Sequence, residues 1–271
     1  MSGLSDVNGR GRITVEVGNI RKTFRLSRKQ MRLDNATSDK KVAVDGVSFE
    51  TRPGEIFGLL GPNGAGKTTV MRCIATLIKP DSGTILVNGK DVSDDISVKK
   101  QMAFLSGELK LEAGFTPNYL YDFFSGLYGI EKSVAQERKA SLFRRFGIDK
   151  FAEVKVGELS QGMKQKTSIA VSLVHDPEII VFDEPTNGLD VVTARVVTDY
   201  LTELKNRGKT VIISTHIMNL AQKLCDRIGI IYKGRMLLCD YTEKLLEGSA
   251  TNDLEDLFFD LISKEEEADR P

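Results

Sequence analysis

The stretch Gly61-Pro62-Asn63-Gly64-Ala65-Gly66-Lys67-Thr68-Thr69 carries the densest chemistry in this chain. It fits the pattern Gly-x-x-x-x-Gly-Lys-Thr. Glycines at 61, 64 and 66 permit backbone conformations in which successive N–H groups point inward at an anion. A helix opening at the end of the loop adds the positive end of its dipole. That is the chemistry of a phosphate cradle. Lys67 would serve as a point charge for the β- and γ-phosphates, the Thr68 hydroxyl as a Mg2+ ligand, and Thr69 as a contact for the α-phosphate. A nucleotide held this way also needs a magnesium carboxylate and a group that positions the attacking water. IIVFDE supplies two adjacent carboxylates. Asp183 is the candidate for Mg2+, and Glu184 for the general base or water-orienting group.

Three further positions belong to the same chemistry. In LSQGMKQK, Ser160 opening a helix offers a hydroxyl, the Gly162 N–H and a helix dipole, a second grip on a γ-phosphate. Taken alone, the serine is an ordinary N-cap. His216 ends the run VIISTH, where a lone histidine is more often a satisfied polar residue than a catalytic one. Phe24 in IRKTF is, by itself, as well read as a core residue. Together these segments resemble a known family. LSQGMKQK, just upstream of FDEPTNGLD, is similar to the Leu-Ser-Gly-Gly-Gln signature of ATP-binding cassette (ABC) ATPases, with Gln161 in place of the first signature glycine. FDEPTNGLD resembles the family's magnesium strand and D-loop, ending at Asp190. His216 matches the switch histidine, a donor to the γ-phosphate, and Phe24 matches the aromatic that stacks on adenine.

The resemblance implies a phosphate-loop NTPase that binds and hydrolyses ATP with Mg2+. It also implies a head-to-tail dimer with ATP at the interface. Each site would combine Phe24, Gly61 to Thr69, Asp183, Glu184 and His216 of one subunit with Ser160, Gly162 and Asp190 of the other. A homodimer would complete both sites. A separate transmembrane permease is the implied partner, and the implied location is the cytoplasmic face of the membrane. GLLGPNGAGKTT, FLSG and LSQGMKQK are most similar to the bacterial subgroup with sodium-export and drug-resistance ATP-binding subunits, so transport is expected to be export. One departure stands out: aligning MAFLSGE puts Gly107 where the family carries a glutamine that joins Mg2+ and the attacking water to the permease. Glu108 or a backbone carbonyl is left as the substitute.

These residues must be positioned by an α/β framework. EIFGLL is a short buried strand running into the phosphate loop, after which Val70, Met71, Ile74, Leu77 and Ile78 predict a helix that lasts until Pro80. EIIVFD, TVIIST and RIGIIY are continuous apolar runs of the kind found in central parallel strands, the last with a hairpin through Lys233-Gly234. Residues 12–20 and 42–50 alternate as strands of an N-terminal antiparallel β subdomain, and 21–41 between them reads as a basic extended loop. That loop is most simply solvated, with lipid headgroups or the partner as the other reading. A helical subdomain spans about 110–172. In it Leu120, Phe123, Phe124, Leu127 and Tyr128 make one apolar face, and AQERKASLFRRFG makes a second helix. The aromatics from Phe115 to Tyr128 either present an edge to the partner or pack the subdomain core. One cassette domain over 12–248 is followed at 249–271 by a short amphipathic helix with Leu254, Leu257, Phe258 and Leu261 and an acidic, frayed end.

Bulk properties narrow the function. Among 271 residues, 38 basic and 38 acidic side chains cancel, so no net field favours nucleic acid or an anionic membrane, and no nucleic acid partner is expected. No run approaches the length of a transmembrane helix, and the first residues lack the features of a signal peptide. Three scattered cysteines, Cys73, Cys225 and Cys239, with only His175 and His216 as imidazoles, argue against disulfides and structural zinc. The rival from another class is a soluble ABC ATPase acting mechanically on DNA or ribosomes. A single uninterrupted cassette and balanced charge argue against it. A non-hydrolysing regulatory subunit is disfavoured by the presence of both Glu184 and His216.

Overall fold

The computed structural model describes residues 12–33, 38–93, 95–107, 111–248 and 251–268. In chain order its elements are β1 (Val15–Arg25), α1 (Arg28–Leu33), β2 (Lys40–Thr51), β3 (Ile56–Leu60), α2 (Lys67–Ile74), β4 (Ser82–Val87), β5 (Lys90–Asp91), α3 (Asp95–Lys99) and β6 (Met102–Leu105). Next come α4 (Pro117–Leu127), α5 (Lys132–Phe146), α6 (Gln161–Ser172), β7 (Ile179–Asp183), α7 (Val191–Asn206), β8 (Thr210–Thr215) and α8 (Met218–Leu224). The chain closes with β9 (Arg227–Tyr232), β10 (Arg235–Tyr241), α9 (Thr242–Glu247) and α10 (Leu254–Ala268). Two sheets result: an antiparallel one ordered β2-β1-β4-β5, and a larger one ordered β10-β9-β3-β8-β7-β6.

Every residue of β3, β7 and β8 is buried, because the larger sheet is covered on both faces. Alternation divides their side chains between two cores. Leu60, Phe182 and Ile213 face the helices α4 to α8, whereas Phe57, Leu59, Val181 and Ile212 pack with α2 and the antiparallel sheet through Val44, Met71 and Ile20. β3 runs parallel to both β8 and β9, and β7 parallel to β8. Their C-terminal ends therefore share one edge of the sheet, and everything the chain places just after those strands converges there. The hairpin of β9 and β10 turns at Lys233-Gly234, as its sequence suggested.

Several local expectations need correction. The described parts of 21–41, residues 21–33 and 38–41, are not one extended loop. β1 continues to Arg25 and β2 starts at Lys40, with Phe24 opposite Lys41, so antiparallel pairing takes up both ends of the stretch. The short helix α1 lies between them. The helix after the phosphate loop ends at Ile74 and not near Pro80. Thr76 takes a left-handed φ of 61°, and Leu77 is exposed. In α4 the buried stripe is Pro117, Leu120, Tyr121 and Ser125, one step around from the predicted face. Of that face only Leu120 is buried, while Phe123 (52% exposed) and Leu127 (70%) face outward, Tyr128 is partly exposed and Phe124 is partly buried. Helix α10 holds its acidic stretch in helical form as far as Ala268, since Tyr232 Oη donates to Glu266 Oε1 (2.7 Å); residues 269–271 lie outside the described set.

The start of α4 is a clear local device. Thr116 is its N-cap, accepting the Tyr119 N–H at 3.2 Å, and Pro117 occupies the first helical position. Thr116→Ala is expected to destabilise the protein by about 1 kcal/mol, seen as a lower denaturant midpoint at unchanged slope.

Candidate active site

The phosphate loop sits at the shared edge, between the end of β3 and the start of α2. Its first residue is tied to the neighbouring strand, the Gly61 N–H donating to Thr215 O at 3.3 Å. It is also wedged against β9, because a Cβ on Gly61 would lie 2.2 Å from Ile231 O. Gly66 closes the loop with φ 108°, and a Cβ there would lie 2.3 Å from Ala43 O of β2. Only glycine fits both demands at that point. Ala65 is buried and accepts the Gly234 N–H (3.0 Å), so the β9–β10 turn buttresses the loop from behind. Pro62 is half-buried, and Asn63 and Gly64 are exposed. Helix α2 begins at Lys67 with Gly66 as its N-cap and no side-chain cap. The amides of its first turn, including those of Thr68 and Thr69, are thus left for an external acceptor such as phosphate.

Lys67 is buried, and its ammonium is held over its own loop by Gly61 O (2.7 Å) and Pro62 O (3.1 Å). It also lies 3.4 Å from Glu184 Oε1. The same oxygen receives His216 Nδ1 at 2.9 Å. An ionised carboxylate only accepts, so the imidazole carries its proton on Nδ1 in that contact. Glu184 is a non-glycine residue with a left-handed φ of 51°, a conformation costing about 1–3 kcal/mol that the surroundings must impose. Asp183, buried at the end of β7, pairs in register with Ser214 of β8. The Ser214 hydroxyl donates to Asp183 Oδ1 and accepts the Glu184 N–H at 3.0 Å. Four residues from three separate segments of the sequence, Lys67, Asp183, Glu184 and His216, are thus one cluster. Ser214 joins it although the sequence reading passed over it; the one signal was a hydroxyl directly after the apolar run Val211-Ile212-Ile213, two places before His216.

Whether Mg2+ suits this cluster can be judged from its donors. Among the described residues no group of three or more His, Cys, Asp or Glu forms a metal site. Asp183 and the Thr68 hydroxyl are hard oxygen donors at one edge, a set that suits a small cation completing its shell with phosphate oxygens and water.

Ser160, Gly162 and Asp190 make a second group. Ser160, exposed, is the N-cap of α6 and accepts the Met163 N–H at 3.3 Å. A Cβ on Gly162 would lie 3.5 Å from Thr193 and 3.9 Å from Asp190 Oδ2, so the signature turn faces the start of α7. Asp190 is the N-cap of α7, and the Thr193 N–H it accepts (2.9 Å) holds its carboxyl below the usual range. Val191 and Val192 beside it are among the most exposed apolar residues of the chain. Gln165 of α6 donates to Pro185 O at 3.1 Å, linking this group to the residue after Glu184.

Phe24 is on β1, partly exposed, with Lys22 Nζ 5.7 Å from its ring centre. It pairs with Lys41 of β2, the strand whose Ala43 abuts Gly66. Gly107 is exposed after β6 and lines a cavity of about 370 Å³ with Gln161, Lys164 and Gln165 of α6, while Glu108 lies outside the described residues. A neighbouring cavity of about 320 Å³ opens between β6 and the helices. There Tyr128 stacks on His175 at 4.1 Å, and burial lowers the histidine's pKa.

Comparison with known proteins agrees with this geometry. A family model described as "ABC transporter" matches residues 44–187. The ABC transporter ATP-binding protein NatA of Bacillus subtilis (strain 168) is 40% identical over 223 residues, covering 81% of this chain and 91% of that protein. The Nod factor export ATP-binding protein I of Burkholderia orbicola (strain AU 1054) is 37% identical over 219 residues, covering 80% and 72%. A solved ATP-binding subunit of an ABC transporter superposes with a TM-score of 0.80 at 25% identity, over 92% of this chain and 99% of that one. A dimeric ATP-binding cassette in a post-hydrolysis state with ADP and Pi gives 0.73 at 25% identity, over 84% and 98%. With its loop, paired carboxylates and histidine on one sheet edge, the chain belongs to the ABC transporter family and is an ATP-binding, ATP-hydrolysing subunit of it.

Proposed function

We propose that this subunit hydrolyses ATP in a head-to-tail dimer and so drives a separate transmembrane permease in export. The reading is carried by one observation: Lys67, Glu184 and His216 meet at a single carboxylate oxygen beside an uncapped helix start. Gly61 to Thr69 hold the phosphates. Lys67 exchanges Glu184 and the loop carbonyls for phosphate oxygens, which frees Glu184 to orient water and accept its proton. His216, released from Glu184 in the same exchange, donates to the γ-phosphate, and Phe24 stacks on adenine. Asp183 and Thr68 hold Mg2+, which when bound neutralises charge developing on the phosphates. Gly107 has no side chain to offer this site, so any contribution from it is limited to its carbonyl or amide.

Ser160, Gly162 and Asp190 act on the nucleotide of the second subunit. The exposure of Ser160 and Asp190, and that of Val191 and Val192, is what a surface awaiting a partner copy presents. The dimeric cassette of similar fold supports the arrangement. The permease docks on the helical subdomain, where Phe115, Tyr119 and Phe123 form a stacked, outward-facing aromatic row. Among the described residues no helix is long and apolar enough to cross a membrane, so anchoring at the cytoplasmic face rests on that partner. Export is favoured by the relatives named for Nod factor export.

A shared site makes the rate depend on dimer formation. Where dimer is the minor species, doubling the concentration of this chain is expected to raise total Mg2+-dependent ATP hydrolysis about fourfold. A strictly linear dependence down to the most dilute sample would mean that each chain works alone.

A further inference from the structure

The two carboxylates of the cluster differ in task yet share one support. We propose that Ser214 is a positioning residue for the hydrolytic reaction, its hydroxyl setting Asp183 and Glu184 relative to each other; this rests on the roles proposed above for those two residues. Ser214 is fully buried at the end of β8, directly across from Asp183 in the parallel ladder. Its Oγ donates to Asp183 Oδ1, which fixes the rotation of that carboxylate and directs its other oxygen as the free acceptor. The same Oγ accepts the Glu184 N–H at 3.0 Å, while the Ser214 carbonyl accepts it at 3.2 Å. These two acceptors pin the backbone of Glu184 as the chain turns into its left-handed φ of 51°. One side chain therefore orients the carboxylate that would ligate the cation and anchors the residue that would handle water.

The two bonds are unequal in consequence. Without the hydroxyl, the Glu184 N–H keeps the Ser214 carbonyl, but Asp183 Oδ1 loses its donor in a site closed to solvent. The larger effect of Ser214→Ala should then appear in cation-dependent behaviour. A hydroxyl that only satisfied the sheet edge would alter stability and leave the response to Mg2+ as it was.

The test uses the full chain, with Ser214→Ala, Ser214→Thr and Ser214→Cys beside Glu184→Gln. Binding of trinitrophenyl-ATP is followed in EDTA and across a Mg2+ titration, with kcat, KM and the thermal midpoint measured in parallel. Ser214→Ala is expected to bind the probe in EDTA like the parent. It should need about tenfold more Mg2+ for half-maximal effect and lose about tenfold in kcat, with KM at saturating Mg2+ changed less than about twofold, the scale of a lost bond to a charged group. Ser214→Thr, which keeps the hydroxyl, should recover most of both. Ser214→Cys gives the same comparison with a weak donor of similar size if the alanine variant folds poorly. A Mg2+ requirement and kcat for Ser214→Ala and Ser214→Cys within about twofold of the parent would overturn the proposal while Glu184→Gln stays inactive. Full activity of Glu184→Gln would instead remove the reading on which it rests.

Discussion

Glu184→Gln is expected to lower kcat by about 100- to 10,000-fold, the range associated with loss of a positioned general base, while nucleotide binding persists. The amide keeps the size of the side chain and an oxygen that Lys67 can approach, so the packing around β7 and β8 is retained. What disappears is the ability to take a proton from water. With turnover blocked and Lys67 still able to reach phosphate, ATP with Mg2+ should hold two copies together. Size exclusion in ATP and Mg2+ would then show a dimer for the variant, and steady-state assays would show the lost rate. Turnover within a few fold of the parent, or a variant that stays monomeric with ATP, would count against both the base assignment and the shared site.

Gly66→Ala is the second large expected effect, and it acts on binding. At φ 108° an alanine is strained by about 1–3 kcal/mol. Its Cβ would also stand 2.3 Å from Ala43 O, a backbone atom of β2 at the irregularity between the Lys22–Val44 and Thr23–Val42 pairs. The loop must shift to relieve this, which misdirects the first-turn amides of α2. ATP affinity is expected to fall by at least about tenfold, the equivalent of about 1.4 kcal/mol. Gly64→Ala is the internal comparison. It too has a positive φ, 82°, but its Cβ would meet open space, so its cost is conformational alone and its effect on affinity should be clearly smaller. Equal affinities for Gly66→Ala and the parent in a direct titration would refute the cradle geometry.

How far these residues could be read in advance depended on whether their chemistry is local. The phosphate loop is a contiguous run whose glycines, lysine and threonines act through the backbone they themselves shape, so its place between β3 and α2 was legible. The buried strands were legible too, since a strand covered on both faces reads as a mainly apolar run. Residues 21–41 were misjudged because a strand that pairs at its polar end needs no apolar alternation, only a partner, and β2 supplies it. The face of α4 was misjudged because three of its four aromatic residues, Tyr119, Phe123 and Phe124, lie off its buried stripe. The 3.6-residue period marks a stripe but not the side on which the rest of the protein stands.

By itself the sequence determined the ingredients: a glycine loop that must cradle an anion, two carboxylates ending a buried strand, a signature serine opening a helix, and a histidine ending another strand. Only the tertiary structure decided that Lys67 and His216 meet on one oxygen of Glu184, that Ser214 binds both carboxylate residues, and that the signature faces Asp190. The physical reason is that motif chemistry is carried by residue type and short-range backbone geometry. The convergence of residues distant in the sequence is set by strand order and register, which no short segment encodes alone.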